Sequence, residues 1–190
     1  MGSAGSLYLV STPIGNPEDI THRALRILTE ADVIVCEERK EGERLLARYG
    51  IRGRAVEELN EHNEAAASRH ILEHLRNGRN VAVVSDAGTP LFSDPGRVLV
   101  QSAIEAGIAI VPVPGASSLL PALTVSGFSL DSFVFCGFLS PKSNRRRTEL
   151  HALRQEKRTM ILMDTPYRLA ALLKDVAELL GGERRVCVAF

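Results

Sequence analysis

The residues able to do chemistry in this chain gather just after its apolar runs. SDAGTPLFSDPG, Ser85 to Gly96, follows the run NVAVV directly. Ser85, Asp86, Gly88 and Thr89 form a loop whose backbone can approach a ligand closely. The closing SDPG, read as a helix opening at Asp94-Pro95, offers N-terminal N–H groups to an anion. One capped turn between a strand and a helix would need the same residues. Two such turns within twelve residues favour a ligand loop. VPGASS, Val113 to Ser118, repeats the pattern, with Gly115 for close approach and hydroxyls at Ser117 and Ser118. STPIGN, Ser11 to Asn16, does so after LYLV. CEERKEGERLL places Glu37 directly after the run DVIV, and EHNE places Glu64 at a helix start. A solvated first turn accounts for the former equally well, and an N-cap by Asn63 for the latter. Arg145, Arg146 and Arg147 form the only charge cluster and suit a phosphate contact or plain surface.

These loops need a scaffold. LYLV, DVIVC, NVAVVS, IAIVPV, FVFCGF, TMILM and RVCVAF are short, rich in Val and Ile, and do not alternate with polar residues. That predicts parallel strands buried on both faces. Helical segments separate most of them, among them Glu41 to Tyr49 and Glu64 to Asn77. The order is βαβα, hence an α/β fold with a mostly parallel sheet. A break at VPVPGASS divides the chain into an α/β domain at 7–115 and a second at 116–190. The second reads as truncated at its C-terminal end, because the apolar strand RVCVAF has nothing after it. Parallel strands bring their carboxyl ends to one edge, so the three small-residue loops should meet in one crevice.

Several classes are excluded. There is no G-x-G-x-x-G, no G-x-x-x-x-G-K-[ST] and no G-x-S-x-G. His70 and His74 lie four apart, off the apolar face, without a carboxylate at zincin spacing, so no metal is expected. The 23 basic and 23 acidic residues cancel, leaving only local fields for a polyanion. Cys36, Cys136 and Cys187 sit in apolar runs and read as buried, reduced thiols of a cytoplasmic protein. No run approaches a membrane span, and MGSAGS lacks a signal core.

Taken in order, STPIGN, DIT-RAL, LL-YGI, EHNE, VAVVSDAGTP, SDPG and VPGAS resemble the tetrapyrrole methylase superfamily. The likeness is strongest to the branch that methylates a ribose 2′-oxygen in small-subunit ribosomal RNA. It runs from Leu7 to the end of the chain. It implies a two-domain fold, S-adenosylmethionine as cofactor and a homodimer. It also implies a cofactor cleft lined by Pro13, Ser85, Asp86, Thr89, Ser117 and Ser118, with Met163 and Ala189 from the second domain. Thr12, Gly15, Asn16, Arg145 and Arg146 would face the acceptor. The chain departs from the family at Glu37–Gly42, where EDTRHT is usual, and at MDTPYR, where a proline-histidine pair is common.

The implied acceptor is ribosomal RNA or the small ribosomal subunit. A tetrapyrrole or other small molecule is the same-fold alternative, and a non-catalytic binding module the alternative of another class. A ribose hydroxyl benefits from a base, for which Glu37 and Glu64 are the candidates.

Overall fold

The computed structural model describes residues 3–189. The chain divides into two compact units, one ending at Ser118 and one beginning at Leu119.

The first unit holds strands β1 (Ser6–Val10), β2 (Val33–Cys36), β3 (Ala55–Glu58), β4 (Val81–Val84) and β5 (Ala109–Val113). Its helices are α1 (His22–Glu30), α2 (Arg39–Arg48), α3 (Glu64–Arg76) and α4 (Arg97–Glu105). The strand order is β3-β2-β4-β1-β5, with every neighbouring pair parallel. The lack of alternation in the runs has a direct cause: both faces of the sheet are covered. Val33, Val35, Val81 and Val83 pack on one face against Ile71, Leu72 and Leu75 of α3 and Leu99 and Ala103 of α4. Ile34, Cys36, Ala82 and Val84 point the other way, onto Ala24, Ile27 and Leu28 of α1 and Leu46 of α2. Each fully buried aliphatic side chain contributes about 1.5–3 kcal/mol. A one-residue slip would exchange the two faces, so the register is fixed from both sides.

Local signals start and stop these helices. Thr21 caps α1 by accepting a hydrogen bond from Ala24 N at 3.0 Å. Asn63 does not cap α3. Its side chain accepts from Asn60 N at 2.8 Å and donates to Glu58 O at 3.1 Å, holding the preceding turn instead. Asp94-Pro95 does not open α4 either. The helix starts at Arg97 behind Gly96, whose φ of +126° is far from helical and so keeps Asp94 and Pro95 out of the first turn.

The second unit holds α5 (Leu119–Val125), β6 (Phe133–Phe138), α6 (Ser143–Ala152), β7 (Thr159–Met163) and α7 (Pro166–Leu180). β6 and β7 pair in parallel, with a register shift between Phe135 and Gly137. Leu139, Leu150, Leu172 and Val176 form its small core. RVCVAF is not a strand over its described residues. Arg185 to Ala189 lie exposed and outside any ladder, and a strand without a partner leaves its N–H and C=O groups to water. Phe190, like the first two residues of MGSAGS, lies outside the described residues. Cys36 is buried, but Cys136 is only partly so and Cys187 is exposed, because its run joins no sheet. Among the described residues no helix is long and apolar enough to cross a membrane.

Candidate functional site at the carboxyl edge of the first unit

β1 lies between β4 and β5, and the loops leaving these three strands are laced together. Thr12 N donates to Gly88 O at 2.9 Å and Gly88 N to Thr12 O at 3.0 Å, an isolated antiparallel bridge between two loops. The Thr12 hydroxyl donates to Ser85 O at 2.8 Å. The buried Ser11 hydroxyl donates to Thr89 Oγ1 at 3.2 Å, and the Thr89 hydroxyl donates in turn to Ala116 O at 3.3 Å. Close approach is built in at Gly88. Its φ is +83°, and a Cβ there would stand 2.9 Å from Ile14 Cδ1. Ser11, Thr12, Pro13 and Ser85 are buried walls, while Gly15, Asn16, Asp86, Thr89 and Ser118 open to solvent and Ser117 is half-buried.

This edge is acidic. Glu37 leaves β2 half-buried. Burial, then the carboxylates of Asp94, Asp86, Glu38 and Glu61, push its pKa above the usual range. Asp86, at the end of β4, is raised by desolvation and then by Glu38, Glu41 and Asp94. Glu37 and Asp94 line the same small gap between β2 and the β4 loop, and Asp94 Oδ2 is buried there without a hydrogen-bond partner among the described residues. The same surroundings quench the one nearby thiol. Burial, with Asp86 and Glu58, pushes Cys36 up to about 12, so it is no nucleophile. An edge of this kind attracts a cation and holds carboxylates whose proton affinity is raised toward that of a working base.

Other expected site residues fall elsewhere. The N-terminus of α4 is not open to a ligand anion. Glu64 Oε1 accepts from Gly96 N at 2.8 Å and Val98 N at 3.1 Å, so the chain's own carboxylate already occupies that position. Glu64 is thereby a clamp between α3 and α4 rather than a free base. Arg146 is no phosphate contact. It is buried in an ion pair with Asp175, at 2.6 Å, because α6 packs this face on α7. Arg145 is exposed but paired with Glu149 at 3.2 Å, and Arg147 bridges Asp175 and Glu178. Met163 ends β7 half-buried and Ala189 is exposed, both in the second unit.

His70 and His74 do meet a carboxylate, supplied by β3 rather than by their own helix. Glu57 Oε1 lies 2.9 Å from His74 Nε2 and 3.6 Å from His70 Nε2. His74 is mostly buried, not solvated. Arg79 lies 2.9 Å from its Nδ1 and can only donate, so Nε2 carries the proton that Glu57 accepts. The group is thus a hydrogen-bonded chain, Arg79–His74–Glu57.

Sequence reasoning placed Ser11 in a strand-end loop and Asp94 at a helix opening without assigning either to the site, and it missed Leu91. Leu91 is the only non-glycine with positive φ among the described residues, at 67°. A Cβ on Gly96 would stand 2.2 Å from its Cδ2, so Leu91 covers Gly96. Ser11 had a signal in its place at a strand end; Leu91 had none.

A parallel sheet covered on both faces, with small-residue loops laced at its carboxyl edge, defines a ligand-binding α/β protein of the doubly wound kind. The chain belongs to the tetrapyrrole (corrin/porphyrin) methylase family, which it matches over residues 6–190. It is 49% identical over 183 residues to the ribosomal RNA small subunit methyltransferase I of Mesorhizobium japonicum, covering 96% of this chain and 62% of that one. To the protein of the same name from Pseudomonas aeruginosa it is 44% identical over 187 residues, covering 98% and 66%. The chain thus spans a little under two thirds of these relatives' length. Among solved structures it is similar to the uroporphyrin III C-methyl transferase of Thermus thermophilus, with a TM-score of 0.63, 25% identity, and 93% of this chain and 78% of that chain covered. The Thermus protein has also been solved in complex with S-adenosyl homocysteine, and that structure matches with a TM-score of 0.61, 23% identity, and 92% and 77% covered.

Proposed function

We propose that this chain carries the methyl-transfer site of a cytoplasmic, homodimeric S-adenosylmethionine-dependent methyltransferase whose acceptor is a ribose 2′-hydroxyl of small-subunit ribosomal RNA. The observation that carries the reading is the acidic, laced loop edge of the first unit. Its residues fit the cofactor's chemistry. The carboxylates of Asp86 and Glu37 complement a cationic sulfonium, and Gly88 lets Ile14 pack closely so that the loops after β1 and β4 meet. When bound, S-adenosylmethionine supplies an electrophilic methyl group on that sulfonium.

The chain's own residues then position and deprotonate. Pro13, Ser85, Asp86, Thr89, Ser117 and Ser118 line the cofactor wall, and Gly15 and Asn16 face the acceptor, while Thr12, expected beside them, is buried and braces the loop from behind. Thr12 and Thr89 are held in place by their bonds to Ser85 O and Ala116 O, so the wall is set before a ligand arrives. Glu37 takes the hydroxyl proton, and its raised pKa brings it closer to that task than an ordinary carboxylate. The names of the relatives favour RNA as acceptor.

A second reading, a tetrapyrrole carbon as acceptor, draws on the zero net charge and needs no base. Small ribosomal subunits incubated with the protein and labelled methyl donor separate the two. Incorporation at a ribose is expected, and labelling of a tetrapyrrole alone would reverse the assignment. S-adenosylhomocysteine should raise the melting temperature, and Asp86→Ala combined with Ser118→Tyr should remove that rise. A rise that survives in the double variant would move the cofactor elsewhere.

A further inference from the structure

If the acceptor is RNA, its phosphates must be held by something, and the three arginines of SPKSNRRR are paired with Glu149, Asp175 and Glu178. A different arginine group is not. Arg39 at the start of α2, with Arg52 and Arg54 in the segment entering β3, lines a cavity of about 340 Å³ on the outer flank of the first unit. Glu43 is the only acidic residue in the lining, and Ile51 and Val56 contribute apolar wall. Among the described residues none of the three arginines is in an ion pair, in contrast to Arg145, Arg146 and Arg147.

Arg54 is the most telling of the three. Its NH1 donates to Ala31 O at 3.2 Å, which fixes the guanidinium. Its Nε is buried and has no hydrogen-bond partner among the described residues. A buried charged donor left unmade is costly, by about 1–3 kcal/mol or more. Planar guanidinium groups match the paired oxygens of a phosphate. The volume lies at the lower end of the range of small-ligand pockets.

Its position supplies a direction. Arg39 follows Glu37 and Glu38 at the carboxyl edge of the sheet, while Arg52 and Arg54 precede β3 at its amino end. β3 is an edge strand, so nothing in the sheet covers this flank. We propose that the cavity between α2 and β3 is a phosphate site that holds the backbone of the acceptor RNA, leading one end of that strand toward the loop edge at Glu37. That the phosphate belongs to an acceptor RNA rests on the function proposed above; the phosphate site does not.

The test uses the whole chain and the charge-reversed double variant Arg39→Glu/Arg52→Glu, with Arg39→Gln/Arg52→Gln as the milder pair. Arg54 is left intact because it holds Ala31 O. A labelled single-stranded RNA oligomer is titrated by fluorescence anisotropy across a salt series, and inorganic phosphate and AMP by calorimetry. The thermal shift with S-adenosylhomocysteine is measured on each variant. The expected result is RNA binding weakened about tenfold or more, with an unchanged cofactor shift. The slope of log affinity against log salt should also be smaller by about 0.7 for each phosphate that the variant no longer neutralises. RNA affinity and salt slope unchanged in both variants would overturn the proposal. So would a weakening confined to phosphate and AMP, which would assign the cavity to a free mononucleotide. If wild type shows no cofactor shift while the RNA effect holds, the methyl-transfer reading fails and the phosphate site stands.

Discussion

At the scale of single residues, two carboxylates of similar sequence context turn out to have opposite surroundings. Glu37 sits among other acids with its proton affinity raised, whereas Glu64 is tied to two backbone N–H groups. The predictions therefore diverge. Glu37→Gln should leave S-adenosylhomocysteine binding intact and slow transfer by roughly a hundredfold or more, as for loss of a general base. In wild type the rate should rise with pH through the Glu37 pKa, since only the deprotonated form accepts a proton, and that limb should lie above the ordinary value of about 4.3. The glutamine variant should lose the limb, which a pH profile of kcat/KM would show. Glu64→Ala should instead lower the melting temperature, by the equivalent of about 1–2 kcal/mol for a lost helix cap, before it affects kcat. A rate loss in Glu64→Ala at unchanged stability would restore it as a catalytic candidate. The sequence could place both residues after plausible strand and helix ends. It could not show which one a distant helix would claim, because the bond from Glu64 to Gly96 spans residues far apart in the chain.

At the scale of elements, the legible features were those carried by local pattern. The uninterrupted Val and Ile runs of β1, β2 and β4 required cover on both faces, and the core residues divide between the two faces accordingly. Where pattern misled, pairing or packing decided. RVCVAF has strand composition but no ladder partner over its described residues, and Arg146 looked like surface until α7 brought Asp175 against it. The SDAGTPLFSDPG segment was legible as a loop at the carboxyl end of a strand, but its internal support was not. Leu91 adopts a left-handed conformation costing about 1–3 kcal/mol, and it does so folded over Gly96. Gly96→Ala should therefore destabilise the first unit strongly. The residue's φ of +126° and the 2.2 Å approach of Leu91 both oppose a Cβ. Urea denaturation should show a lower midpoint with an unchanged slope, whereas a midpoint within error of wild type would mean that the loop relaxes freely.

At the scale of the whole molecule, the two units are unequally built. The first has two extensive cores, one on each face of its sheet, while the second relies on Leu139, Leu150, Leu172 and Val176 together with an ion-pair network. Such inequality predicts separate opening, with the amides of α6 and α7 exchanging with solvent at lower free energy than those of β1, β2 and β4. The network also makes the second unit acid-sensitive. Burial disfavours ionised Asp175, but hydrogen bonds from Arg146 and Arg147 outweigh it and hold its pKa below the ordinary carboxylate value. A carboxyl group depressed in the folded state stabilises above its unfolded pKa, near 3.9, and the contribution is lost as pH falls through the folded value. Hydrogen exchange measured as pH is lowered into that window should show α6 and α7 losing protection while the five-stranded sheet keeps it. Asp175→Asn should produce the same loss at neutral pH, because it leaves Arg146 buried with its charge uncompensated, at a cost of about 3–5 kcal/mol. It should also flatten the remaining acid dependence of that unit. If both units lose protection together, at every pH and in the variant, then they unfold as one body and the Asp175 network serves the whole chain rather than the smaller unit.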